Sequence, residues 1–318
     1  MSRSPISWKN HQNIFQAIFS WLYSYWKFSR PHTIIGTSLS VFALYSISLA
    51  STQSQVSFNN LGYFLGCLIA CICGNVYIVG LNQLEDVEID QINKPHLPLA
   101  AGEFSLKQGK IIVIITGILA LALATILGPW LIATVAISLT IGTLYSLPPI
   151  RLKRFPFFAA LCIFTVRGVI VNLGLFLYFT QALTNTAFIS DVVWLLTLFI
   201  LVFTVAIAIF KDVPDLEGDK QYNITTFTIL LGKSAILKIA CGIIIFCYLL
   251  MITAGLIKVS GINSWLTIGS HFSLLALLLW RSQAVDLDNK ISIASFYQFI
   301  WKLFFLEYLL FPLTCILE

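Results

Sequence analysis

The chain has 318 residues, of which 58% are apolar and only 10% are charged. An average soluble domain carries about 25% charged residues, so this composition excludes an ordinary water-soluble fold. The net charge of +5 is too small and too scattered for a nucleic-acid-binding protein, and we expect no nucleic-acid partner. All seven cysteines lie in apolar stretches, which predicts buried thiols rather than disulfide bonds or a zinc site.

Long uncharged stretches predict an all-α polytopic membrane protein with nine transmembrane helices. A membrane-spanning helix needs ~20 mainly apolar residues. The polar run 51–60 divides the uncharged stretch that follows Arg30, and Gly128-Pro129 divides the one that precedes Arg151. The predicted spans are residues 32–50, 61–82, 109–127, 130–147, 156–180, 191–210, 236–256, 263–280 and 296–316.

The segment before the first span predicts a helix that lies in the membrane interface. Large apolar side chains recur in it at helical spacing, at Phe15, Phe19, Leu22 and Trp26. It lacks an apolar core followed by a small-residue cleavage site, so we expect it to be retained rather than removed as a signal peptide. The predicted organisation is therefore an interfacial segment over residues 1–31 and a transmembrane domain over residues 32–318, surrounded by membrane lipid.

The distribution of positive charge predicts the orientation. With the N-terminus inside, sixteen of the nineteen Lys and Arg residues fall in the N-terminal segment and the inside loops, and only Lys258 falls in an outside loop. Positive residues in short loops stay on the cytoplasmic side. The N-terminal segment has little room for a transit peptide, so we expect a multi-pass protein of a bacterial, cyanobacterial-type inner or thylakoid membrane. Its active site would face the cytoplasm.

Nine of the fourteen acidic residues lie in two inside loops. In the first loop, Asn82, Asp86 and Asp90 are spaced i, i+4 and i+8, which places their oxygens on one helix face. In the second, Asp215 and Asp219 repeat the spacing. Carboxylates about 6 Å apart repel by roughly 3 kcal/mol per pair at an effective dielectric near 20. Something cationic is therefore required.

Two kinds of cation meet this requirement. The first kind is lysine, because Lys94, Lys211 and Lys220 lie close in sequence to these acids. Their presence favours a solvated loop held by salt bridges. Mg²⁺ is held by one or two carboxylates together with phosphate oxygens, so two matching acidic helix ends favour a metal-bridged diphosphate.

A third inside segment, residues 145–154, combines a Pro-Pro turn with three cations. Membrane anchoring alone explains these cations, but they also suit a departing diphosphate.

These segments resemble motifs of the UbiA superfamily of intramembrane aromatic prenyltransferases. Asn82-Gln-Leu-Glu-Asp86-Val-Glu-Ile-Asp90 is similar to its first N-x-x-x-D-x-x-x-D motif, and Lys211-Asp-Val-Pro-Asp215-Leu-Glu-Gly-Asp219 is similar to its second. Tyr145-Ser-Leu-Pro-Pro-Ile-Arg151-Leu-Lys153 resembles its connecting motif. Within the superfamily, residues 26–37, 80–84, 92–95 and 296–308 resemble the homogentisate phytyltransferases of tocopherol synthesis.

The resemblance implies nine helices around a central cavity and Mg²⁺-dependent transfer of a phytyl chain from phytyl diphosphate to homogentisate, with decarboxylation. The implied metal ligands are Asp86, Asp90, Asp215 and Asp219. The implied catalytic residues are these four with Asn82, Tyr145 and Asp212. The implied substrate-binding residues are Arg30, His32, Lys94, Arg151, Lys153, Arg167, Asn172 and Lys211.

Two departures from the family patterns bear on these expectations. Asn82 is followed by Gln where many members have Asp, so one metal ligand fewer is available than in some relatives. The hydroxybenzoate branch has Asp-Lys-Pro where this chain has Arg30-Pro31-His32, which argues against hydroxybenzoate as acceptor.

Three polar residues have open assignments. Arg30 beside His32 is suited to the carboxylate of homogentisate, or equally to interfacial anchoring. Arg167 lies within the fifth span, where an unpaired charge costs at least ~3 kcal/mol, so it needs a partner. We expect either Glu307 or substrate. Asn172, one to two turns further on, is a candidate for the cavity wall.

Two alternatives to this function remain. A cation-coupled secondary transporter also pairs carboxylates from two halves, but its carboxylates usually lie near the membrane midplane. Chlorophyll synthase is the nearest rival among the prenyltransferases.

Overall fold

The computed structural model describes residues 8–221 and 225–318, with side chains described from residue 14 onward. These residues form fourteen α-helices. They are α1 (Trp8–Phe28), α2 (Pro31–Thr52), α3 (Phe58–Glu85), α4 (Val87–Asn93), α5 (Leu106–Leu127), α6 (Pro129–Ser146), α7 (Pro156–Phe164), α8 (Val171–Thr184), α9 (Asp191–Phe210), α10 (Leu216–Gln221), α11 (Phe227–Leu231), α12 (Lys233–Leu256), α13 (Ser264–Ser282) and α14 (Lys290–Ile316). A π-helical segment (Thr165–Ile170) joins α7 to α8 in one continuous span.

The predicted spans correspond to nine long helical segments, namely α2, α3, α5, α6, α7 with α8, α9, α12, α13 and α14. Within the described parts of the chain, all but α13 are long and apolar enough to cross a membrane. His271 inside α13 and Arg281 near its end reduce its hydropathy. It nevertheless packs against α12 and α14. The all-α polytopic membrane fold is confirmed, and its helix count agrees with the nine predicted spans.

Local signals in the sequence set several helix ends. Ser57 accepts a hydrogen bond from the backbone N–H of Asn60 at the start of α3, and Ser105 forms a capping box with Gln108 at the start of α5. Gly128 has a φ of 131°, which non-glycine residues rarely adopt, and Pro129 then begins α6. This is why the apolar stretch between Lys110 and Arg151 forms two helices rather than one.

The helices pack around a cavity of about 920 Å³. Its walls come mainly from α2, α3, α6, the α7–α8 span, α9 and α14. On one side α3 packs along α5, and on the other α12 packs between α9 and α13. Buried aromatic side chains fill the second side, where the Phe199 and Phe203 rings stack 5.6 Å apart and Phe203 contacts Phe304. The cavity volume is near the upper end for small-molecule sites.

Helix α1 covers most of the predicted interfacial segment. Its outer face is apolar, with Phe15 72% and Phe19 74% exposed. Near its end, Ser24 donates a hydrogen bond of 2.6 Å to Glu103, and Lys27 forms a salt bridge with the same carboxylate. These contacts tie α1 to the segment before α5. Residues 1–7 of the predicted segment lie outside the described residues, and the interfacial position itself stays a prediction.

Candidate active site

The first acidic motif lies where α3 ends and α4 begins. Asn82 is in the last turn of α3, Asp86 stands between the two helices, and Asp90 is in α4. The sequence spacing predicted one continuous helix face, and this is wrong, because the backbone leaves the helical conformation at Asp86 (φ −118°, ψ 18°). The three side chains still line the same cavity, and Asn82 donates a 3.0 Å hydrogen bond to Asp86.

The second acidic motif lies at the end of α9 and in α10. Lys211 and Asp212 follow the last turn of α9 and form a salt bridge of 3.1 Å with each other. Asp215 and Asp219 are one helical turn apart, since the backbone N–H of Asp219 donates to the carbonyl of Asp215 at 3.1 Å. All four side chains line the cavity. The predicted i, i+4 spacing is therefore present in the structure.

The two motifs meet across the end of the cavity. Lys94, just after α4, forms a salt bridge with Asp215. Asn93 donates to the Asp219 carboxylate at 3.4 Å, and α4 packs against α10. Residues more than 120 positions apart in the sequence thus surround one volume.

Three further cations contact the first motif. Arg151 lies 2.9 Å from one carboxylate oxygen of Asp86, and Lys153 lies 2.5 Å from the other. Arg30 donates to Asn82 at 3.1 Å and lies 3.9 Å from Asp90. Lys153 and Arg30 line the cavity, whereas Arg151 lies behind Asp86 and is not part of the wall. Arg151 therefore acts on the site through Asp86.

Three acids of the site have raised pKa values, mainly because they are buried. Burial raises the pKa of Asp90, and the nearby Arg30 and Lys94 offset this only in part. Burial, with the carboxylates of Asp212 and Asp215, raises the pKa of Asp219 to about 7. Burial also raises the pKa of Asp212. Each shift means that the site stabilises negative charge poorly without an added cation.

The donor set fits a divalent metal that is shared with a ligand. Within the described residues, no three His, Cys, Asp or Glu side chains converge closely enough to hold a metal by themselves. Paired carboxylates are nevertheless present, and Asp90 Oδ2 is buried without a hydrogen bond. Mg²⁺ typically takes one or two carboxylates and completes its shell with water and phosphate oxygens. The arrangement suits that mode of binding.

The remaining predicted residues divide into two groups. His32, Tyr145 and Arg167 line the cavity. Asn172 is fully buried and is absent from the cavity wall, while its contact with substrate stays a prediction. It instead accepts a 2.9 Å hydrogen bond from Tyr308, which does line the cavity. Asn172 therefore positions a wall residue rather than forming the wall.

Glu307 does not pair with Arg167. It binds His271 of α13 at 3.0 Å, and both side chains are fully buried. Arg167 lies over the ring of Trp301, with Cζ 5.1 Å from the ring centroid. The ion pair expected between Arg167 and Glu307 is therefore corrected, and the alternative of a substrate contact stays open. Trp301 and His271 were not predicted as functional residues, although a histidine inside an apolar helix was an available signal for the second.

Comparison with known proteins identifies relatives along nearly the whole chain. The profile of the UbiA prenyltransferase family matches residues 39–303. The homogentisate phytyltransferase of Synechocystis is 57% identical over 92% of this chain and 95% of its own length. A probable chloroplastic homogentisate phytyltransferase of rice is 41% identical, over 95% of this chain and 76% of its own length.

Solved structures share the fold at lower identity. A UbiA homologue from Archaeoglobus fulgidus, bound to GPP and Mg²⁺, superposes with a TM-score of 0.63 at 17% identity. The match covers 93% of this chain and the whole of the other. At this identity the likeness supports the helical architecture alone.

Proposed function

This chain belongs to the UbiA prenyltransferase family, and from that premise we propose that it transfers a phytyl chain from phytyl diphosphate to homogentisate with loss of carbon dioxide. The product is a methylated prenylquinol, a precursor of tocopherol. The observation that carries the proposal is the meeting of two acidic motifs and their cations at one end of a large cavity. The choice of phytyl and homogentisate follows the Synechocystis relative.

The polar end of the cavity is the proposed donor site. Asp86, Asp90, Asp215 and Asp219 would hold Mg²⁺, with Asn82 and Asp212 beside them. When bound, Mg²⁺ neutralises the charge that develops on the diphosphate. Lys94, Lys153 and Lys211 line the same end and supply fixed positive charge to that group. Tyr145 borders it, and the apolar remainder of the cavity receives the prenyl tail.

The proposed reaction exchanges one carbon–oxygen bond for one carbon–carbon bond. The bond between the prenyl C1 and the diphosphate oxygen breaks, and its electron pair leaves with the diphosphate. The electron-rich hydroquinone ring donates a pair to C1, and the attacked ring carbon then loses its proton. The acetate arm loses carbon dioxide and gains one proton, so protons balance. The chain stabilises the leaving diphosphate and shields the allylic cation from water.

We also propose that the polar end faces the cytoplasm, because positive loop residues concentrate on that side. The acidic residues lie at helix ends rather than at the midplane of the spans, which favours an enzyme over a transporter.

A three-acceptor assay tests the proposal. Membranes containing the protein are incubated with Mg²⁺, phytyl diphosphate and either homogentisate, 4-hydroxybenzoate or chlorophyllide, with EDTA-treated membranes as control. We expect a prenylated product from homogentisate alone and none after metal removal. Product from chlorophyllide alone assigns the chain to chlorophyll synthesis. No product from any pair contradicts the proposed activity and favours transport.

A further inference from the structure

One cation of the cavity wall stands apart from the acidic motifs. Arg167 belongs to the π-helical segment, eleven residues beyond Pro156 at the start of its span. At 1.5 Å per residue this places its Cα roughly 16 Å along the span from Pro156. A π-helical turn inside a helix is often found at functional sites. Arg167 thus differs from Arg30, Lys94 and Lys153, each of which lies within 4 Å of a carboxylate of the acidic motifs.

Among the described residues, Arg167 has no anionic partner. Within residues 14–221 and 225–318, its guanidinium forms no salt bridge and no hydrogen bond with another side chain. Its contacts are with aromatic faces, Trp301 at 5.1 Å and Phe304 at 5.6 Å from Cζ to the ring centroids. A charge at this depth is costly unless it is paired. By contrast Arg30 is already engaged by Asn82 and lies 3.9 Å from Asp90.

The surrounding helices are shaped to hold this guanidinium in place. A Cβ at Gly36 of α2 would lie 3.1 Å from Arg167 Nη1, so the glycine leaves room for the side chain. A Cβ at Gly168 would lie 2.6 Å from the Cα of Leu201, which fixes the π-helical segment closely against α9. These two close approaches hold the Arg167 guanidinium, with its N–H donors, at the cavity wall.

Aromatic groups complete the surroundings of Arg167. The His32 ring packs edge-on against Trp301 at 4.9 Å, so His32 and Arg167 contact the same indole. Both side chains and Tyr308 line the cavity. A planar aromatic ring with a short anionic arm matches this combination of flat faces and one fixed guanidinium fork.

We propose that Arg167 binds the carboxylate of the aromatic acceptor, whose ring lies along the wall formed by Trp301 and His32. The inference rests on the proposed function, since it names the acceptor site of that reaction. It reassigns the acceptor carboxylate from Arg30 to Arg167. Pairing also removes a net positive charge from the cavity in which an allylic cation forms, and like charges there would repel.

The test separates acceptor binding from donor binding. KM for homogentisate and KM for phytyl diphosphate are measured for the wild type, Arg167→Gln and Arg167→Lys, with Arg281→Gln near the end of α13 as matched control. We expect Arg167→Gln to raise KM for homogentisate roughly 10- to 100-fold, as for loss of a charge-assisted hydrogen bond, and to leave the donor KM unchanged. Lysine keeps the charge without the fork, so we expect an intermediate KM.

An acceptor analogue isolates the carboxylate. In 2-(2,5-dihydroxyphenyl)ethanol a neutral hydroxymethyl group replaces the carboxylate, and the inhibition constant of this analogue is compared with the KM of homogentisate. Wild type should prefer homogentisate, and Arg167→Gln should bind the two compounds equally. An unchanged preference in Arg167→Gln, or an equal rise of both KM values, overturns the inference.

Failure of the variant to fold and failure of the proposed function are distinguished as follows. If Arg167→Gln does not fold in detergent, Gly36→Ala replaces it, because its Cβ displaces the guanidinium without removing it. That variant should raise KM for homogentisate selectively, and an unchanged value counts against the inference. If the wild type forms no product from homogentisate, the proposed function fails rather than the role of Arg167 within it.

Discussion

Removal of the charge of Asp86 is the sharpest test of the donor site. This carboxylate is 14% exposed and is bound by Arg151 at 2.9 Å, Lys153 at 2.5 Å and Asn82 at 3.0 Å. Asp86→Asn keeps the volume of the side chain and one acceptor oxygen but removes the charge that the two cations share. We expect the variant to fold and to lose activity, because the metal and the leaving diphosphate both depend on that charge.

The expected magnitudes follow from burial and role. Arg151 and Lys153 are 20% and 12% exposed, so their lost charge-assisted bonds are only partly screened by solvent. Loss of stability should be about 1–3 kcal/mol. Loss of an electrostatic contact to the transition state typically costs roughly 10²–10³-fold in kcat, and we expect a loss in this range.

The assay measures phytyl transfer over a series of Mg²⁺ concentrations, with the melting temperature in detergent measured in parallel. Glu217→Gln is the matched control, because Glu217 lies in the second motif but is 68% exposed and pairs with the exposed Lys290. It should behave as wild type in both measurements. Asp86→Asn with wild-type kcat and wild-type Mg²⁺ dependence would refute the assignment of Asp86 to the metal.

Three more outcomes are expected. The pKa of Asp219 is raised to about 7, and metal binding requires its charged form, so apparent Mg²⁺ affinity, measured by titration, should rise as pH increases through about 7; a flat profile would exclude Asp219 as a ligand. His271→Ala leaves Glu307 buried without its His271 partner and should cost about 3–5 kcal/mol of stability in chemical unfolding, whereas a near-neutral result would contradict a stabilising role for this pair. Asn172→Leu removes the acceptor for the Tyr308 hydroxyl, and we expect a loss of about 1–3 kcal/mol with the Mg²⁺ requirement intact.

The helical membrane fold was predictable because its signals are local. Uncharged stretches of the required length specify the spans, and Gly128-Pro129 specifies a helix boundary through backbone geometry alone. The acidic motifs were equally readable, because Asp215 and Asp219 are neighbours through one helical turn. The break at Asp86 was not readable, since Arg151 and Lys153, from a loop more than sixty residues later, bind the side chain at that position.

Partners inside the membrane were harder to predict, because sequence gives the depth of a residue in a span but not the direction in which it faces. Arg167 and Glu307 are both charged residues within spans, which made them candidates for a pair. Their helices are rotated so that Glu307 faces His271 on α13 and Arg167 faces the cavity. The same rotation directs Asn172 into the protein interior instead of the cavity.

The cations of the polar end have a second consequence for the donor site. Lys153 binds the carboxylate of Asp86, and Lys94 binds that of Asp215. These are carboxylates proposed to bind the metal, and these lysines are proposed to bind the diphosphate. A metal that takes up the carboxylates would leave the lysines without their partners, and the diphosphate supplies new ones. Metal and donor should therefore favour each other's binding, because each relieves the charge that the other leaves unpaired.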